Sequence, residues 1–99
     1  MPTYISHINW TEQGIRYVKD SPKRLDAVKK QLKELGGELR AFYMTQGTYD
    51  ALLIYEIPND TVLAKLMLQL GSAGNVRTVT VRAYTEAEYR EIMAGIRSS

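Results

Sequence analysis

The chain contains no cysteine and a single histidine, His7, among its 99 residues. The first absence excludes a disulfide framework, thiol catalysis and any sulfur-ligated metal; the second excludes most zinc sites. No internal repeat, linker or low-complexity tract is present. Long hydrophobic runs are also missing. The most apolar stretch, Val62 to Leu70, is broken by Lys65 and Gln69, whereas a bilayer crossing needs about twenty apolar residues. The N-terminal MPTYISHINW lacks the basic cluster and apolar core of a signal peptide. A soluble, cytoplasmic protein is therefore expected, with no membrane partner. Charge of one sign is scarce too. A net charge of +2 is too small to mark a nucleic-acid partner. The basic excess sits in Lys23, Arg24, Lys29, Lys30 and Lys33, and reads as the solvated face of a helix in preference to a phosphate footprint. No P-loop, dinucleotide fingerprint, HExxH, EF-hand or GxSxG pattern is found.

What is present is an ordinary globular composition, 44% hydrophobic and 24% charged. A folded chain of this size exposes roughly 5,700 Å², against about 16,000 Å² unfolded, which suffices for one core and one domain over residues 1–99.

Thr3 to Trp10 is rich in β-branched and aromatic residues and predicts a strand. Thr11 is placed to cap a short helical turn. Ser21-Pro22 predicts a helix start, with Ser21 as cap and proline at the first helical position. Leu25, Val28, Leu32 and Leu35 then fall on one helical face, and Gly36-Gly37 ends the helix. GELRAFYMTQ and YDALLIYEI flank Gly47-Thr48, predicting a hairpin closed by a two-residue type II′ turn. That register sets Gln46 opposite Tyr49, Phe42 opposite Leu53 and Arg40 opposite Tyr55. One ribbon face then reads Leu39, Ala41, Tyr43, Leu52 and Ile54; the other reads Phe42, Met44, Tyr49, Ala51, Leu53, Tyr55 and Ile57. Both are apolar, although a sheet with one wet face should alternate.

Asp60 is the expected cap of a helix from Thr61 to about Leu70. Only Thr61, Lys65 and Gln69 are polar on it, so burial on more than one side is expected. Gly71 to Asn75 breaks it, and Val76 to Tyr84 predicts the last strand. Thr85 and Glu88 form a capping box, opening a C-terminal helix whose apolar stripe is Tyr89, Ile92, Met93 and Ile96. The order is β-α-β-β-α-β with an added helix: an α+β, ferredoxin-like sandwich. Its crossovers cover one sheet face only, so the other is expected to pack on a second subunit.

The stretches TYISHINWTEQG (3–14), KDSPKRL (19–25), GGELRAFYMTQGTYD (36–50) and GNVRTVTVRAYTEAEY (74–89) resemble the GYD-domain family. Its members are small bacterial and archaeal proteins of the dimeric α/β-barrel group. The naming motif corresponds to Gly47, Tyr49 and Asp50. His7 departs from the family pattern, which has an aliphatic residue there. The resemblance implies a ferredoxin-like protomer in a barrel-like dimer; it does not supply a reaction.

Four residues are candidate ligand-binding positions. Tyr49 and Asp50, placed at the start of the second hairpin strand, pair a phenol with a carboxylate that orients a ligand or accepts a proton. The structural alternative has Tyr49 packing across strands and Asp50 bonding backbone amides near the turn. His7 suits a general base or haem ligand, or else a packed, hydrogen-bonded ring. Arg82 suits a carboxylate or phosphate in a dimer cavity; the alternative is an interface ion pair with Asp50, Glu56 or Glu38. Trp10 and seven tyrosines raise the question of RNA. The segment QGTYDALLIY lacks the basic and stacking residues of an RNA-recognition strand, and no nucleic-acid partner is expected.

The leading expectation is a small homo-oligomeric protein binding a small molecule in a barrel or intersubunit pocket, with no cofactor or metal. The alternatives are a cofactor-independent or haem-linked monooxygenase-like enzyme, as suggested by the fold group, and a structural or protein-interaction module.

Overall fold

The computed structural model describes residues 1–97. Four strands, β1 (Thr3–Trp10), β2 (Glu38–Met44), β3 (Ala51–Glu56) and β4 (Val76–Ala83), form one antiparallel sheet in the order β2-β3-β1-β4. Around it run α1 (Glu12–Arg16), a 3-10 turn at Val18–Asp20, α2 (Ser21–Glu34), α3 (Asp60–Ser72) and α4 (Glu86–Ala94). This α+β topology is compatible with a ferredoxin-like unit.

Local chemistry sets the element ends. Thr11 Oγ1 accepts from the Gly14 amide at 3.1 Å and caps α1 as expected. At the other end of α2 the amides of Gly36 and Gly37 return to Lys33 O and Leu32 O, and Gly36 takes a φ of +83°, a helix stop that glycine accommodates without strain. The capping box of Thr85 and Glu88 is present on α4. Two caps differ from expectation by one residue. Asn59, not Asp60, caps α3, its side chain accepting from the Val62 amide. That releases the Asp60 carboxylate to accept from Tyr4 Oη at 2.6 Å. Ser21 makes no capping bond: the chain enters α2 from the 3-10 turn already in helical conformation, with Asp20 at the cap position.

The hairpin keeps the expected Phe42–Leu53 register but not its turn. Ladder pairing ends at Met44–Ala51, the Thr45 amide bonds Asp50 O, and residues 46–49 form a longer loop in which Gly47 has a φ of +123°. Tyr49 and Asp50 therefore precede β3 instead of beginning it. A bulge between Leu39 and Ala41 leaves Arg40 without a strand partner and sets Leu39 opposite Tyr55. One extra residue reverses which side points inward, so Leu39 joins the helix-facing core.

The core lies between that face and the two crossover helices. Tyr4, Ile8, Leu53, Tyr55 and Ile57 from the sheet side meet Leu32 of α2 and Leu66 of α3. Ser6 is fully buried among them, and its hydroxyl is satisfied by Tyr55 Oη at 2.8 Å and Thr80 Oγ1 at 2.7 Å. Thr80 Oγ1 also donates to Met67 Sδ, so a polar chain crosses three strands to α3. Burial raises the Tyr55 phenol pKa, against the lowering effect of its hydrogen bonds.

Within the chain α3 is covered on one side only, and Leu68 is 74% exposed. The apolar stripe of α4 packs on no other element among the described residues. Tyr89, Ile92, Met93 and Ile96 are exposed, and α4 makes no more than marginal contact with any other element. The shape records this. The radius of gyration is 15.3 Å, against about 12.6 Å for a compact chain of this length. The accessible surface is 6945 Å², roughly 1,200 Å² above the expectation for a folded monomer of this mass.

Candidate functional site

Ladder register decides which side chains share the open face. His7 pairs with Leu52 on one side and Val79 on the other; Ile5 pairs with Ile54 and Val81. Tyr43 and Ala41 extend the same face onto β2 through Leu52 and Ile54. The result is an apolar surface around one histidine, with Tyr43, Val79 and Val81 exposed. Arg40 closes the β2 end of it, bonding Glu56 Oε2 through Nε at 3.0 Å and Glu38 Oε2 at 3.3 Å.

The Gly47-x-Tyr49-Asp50 loop is fastened onto the end of β1. The Asp50 amide donates to Ile8 O at 2.8 Å, and Asp50 Oδ2 accepts from the Trp10 amide at 2.9 Å. Asn9 Nδ2 donates to Thr48 O, and Thr45 Oγ1 to Tyr49 O. The loop thereby lays the Tyr49 ring on His7, with centroids 4.4 Å apart and planes 26° from parallel. Tyr49 belongs to the open face, not to the Phe42–Met44 side expected for it.

Arg82 lies elsewhere. It pairs with Tyr4, as Thr80 pairs with Ser6, so Thr78, Thr80 and Arg82 occupy the helix-facing side, opposite His7. Its guanidinium lies over the Tyr84 ring at 4.3 Å and near the Tyr4 ring at 5.7 Å. It donates to Thr3 O and Ala83 O, and its closest carboxylate is Glu88 at 4.0 Å. None of Asp50, Glu56 or Glu38 pairs with it among the described residues. The four candidate residues thus divide: His7, Tyr49 and Asp50 gather at one end of β1, and Arg82 stands apart at the foot of α4.

Ionisation follows local contacts. The hydrogen bond to Asp60 raises the Tyr4 phenol pKa, with burial acting in the same direction. The Thr85 amide lowers the Glu88 carboxyl pKa, helped by Arg82. Among the described residues no group of three or more histidine or acidic side chains is placed to hold a metal ion, and no helix is long and apolar enough to cross a membrane.

The β4 residues of the open face carry no functional signal of their own in the sequence. The alternation of Arg77, Val79, Val81 and Ala83 was the available signal, but it becomes a surface only once β4 is known to pair with β1 in this register.

A family model described as the GYD domain matches residues 4–93. A Thermus thermophilus protein named glutamine synthetase and cystathionine beta-lyase binding protein is 32% identical over 89 residues, covering 89% of this chain and 94% of that protein. The crystal structure of TTHA0845, also from Thermus thermophilus, is similar in fold, with a TM-score of 0.53 at 22% identity, over 86% of this chain and 95% of that one.

Proposed function

Since the chain belongs to the GYD-domain family, we propose that it is a protein-interaction module working as an assembly of at least two copies. The observation that carries this reading is the apolar open sheet face, together with an α4 stripe left exposed among the described residues. Exposed apolar patches of this kind mark interaction sites. The surplus surface of roughly 1,200 Å² exceeds the roughly 800 Å² that each partner contributes to a standard interface.

On this reading the open face closes on that of a second copy, sheet on sheet, in the manner of the dimeric α/β-barrel group. His7 and Tyr49 then lie within the closed interface. The α4 stripe is left for a protein of another kind, and the name of the Thermus relative suggests an enzyme. Immobilised chain is expected to capture glutamine synthetase or cystathionine beta-lyase from the same source. An Ile92→Glu, Met93→Glu variant should capture neither. Failure of the unaltered chain to hold either enzyme overturns the partner assignment.

A monooxygenase-like enzyme is the second reading, and one observation favours it: two titratable rings, His7 and Tyr49, are stacked on the face a second copy would enclose. Haem added to the protein should then give an absorbance change that His7→Ala removes.

A further inference from the structure

The crossover helices do not meet over the sheet. α2 rests on β2 and α3 on β4, and a cleft opens between the two helices above buried Ile8, Ala51 and Leu53, near Trp10. The cavity there measures about 480 Å³. It is a cleft partly open to solvent, and its size falls within the range of about 300 to 1,000 Å³ found for small-ligand sites. Leu53 contributes to its floor, Val28 and Leu70 to its helix walls, and Trp10 lines it as well.

One charge borders this apolar space. Arg24 lines the cavity and spends two donors on backbone carbonyls, Tyr17 O at 3.1 Å and Gly14 O at 3.2 Å. No carboxylate pairs with it among the described residues. A guanidinium has five N–H donors in a fork suited to carboxylate. Two carbonyls fix its position without neutralising it.

We propose that this cavity binds a small organic anion with an apolar body, its chain among Val28, Leu53 and Leu70 and its carboxylate on Arg24. The site lies on the helix side of the sheet, so it is independent of the protein-binding surfaces above. Size and charge both point to a small amphiphile: the apolar space matches a ligand body, and the guanidinium at its border matches one acidic group.

Trp10 is the only tryptophan, so its emission reports on the cavity directly. Titration with decanoate, below its micelle concentration, is expected to shift that emission saturably. Arg24→Gln should weaken decanoate at least about tenfold, as loss of a charge-assisted bond implies, and leave decan-1-ol unchanged. Ala27→Phe, which adds a ring to the cavity wall from α2, should abolish both responses while circular dichroism stays native. No emission change, or a decanoate affinity in either Arg24→Gln or Ala27→Phe equal to that of the unaltered protein, overturns the proposal.

Discussion

Asp50 is bound through both of its ends, its amide to Ile8 O and its carboxylate to the Trp10 amide. A hydrogen bond to a charged group contributes about 1.5–3 kcal/mol. Asp50→Ala is therefore expected to cost about 2 kcal/mol, lowering Tm by roughly 10 °C in a thermal melt followed by circular dichroism. Asp50→Asn, which keeps an accepting oxygen, should cost less. Tyr49→Phe preserves the ring on His7 and should change stability by no more than about 0.5 kcal/mol. The amide-bonding role of Asp50 was legible in the sequence, because an aspartate beside a glycine turn commonly bonds backbone. Its partner was not: Trp10 is 40 residues away, and only the strand order brings it there. Arg82 shows the same limit more sharply. A strand's alternation says which residues share a face, and the pairing register alone says which face that is.

At the scale of elements, the helices were the legible part, since caps and stripes are local. Thr11 and the Thr85–Glu88 box stand where the residue types placed them, and Asn59 is a one-residue shift of the same chemistry, whereas α2 starts with no side-chain cap because the chain enters it from a 3-10 turn. The hairpin shows why strands are harder. Phe42 and Leu53 pair as their apolar spacing implies, yet the loop lengthens because Thr45 and Asp50 bond each other and Asp50 also reaches β1. The capping box yields a pH prediction. The Glu88 carboxyl pKa is held below its ordinary value by the Thr85 amide. Its contribution is thus complete above the unfolded carboxyl pKa of about 4.3 and is lost as pH falls through the lower folded value. Amide resonances of residues 85–89 should show the first turn of α4 opening only in that acid range. Glu88→Gln, whose side-chain carbonyl still accepts from Thr85, should remove the pH dependence and keep the cap.

For the whole molecule, the open face sets the expected size in solution. Light scattering on a gel-filtration peak should give at least twice the 11.3 kDa of one chain. Val81→Glu puts a charge in the middle of the open face and should return a folded single chain; an unaltered protein that elutes as a monomer at micromolar concentration removes the assembly. The sheet topology was within reach of the sequence, but the elongated shape was not. An apolar stripe on a terminal helix reads the same whether its cover comes from its own chain or from another. The detachment of α4 from its own sheet has a further consequence. A nine-residue helix is marginal in water without tertiary support, so the order of this segment obeys mass action. Binding of the protein that takes the α4 stripe should order it and dissociation should melt it, making the helical signal of residues 86–94 a gauge of how much of the protein is held by that partner.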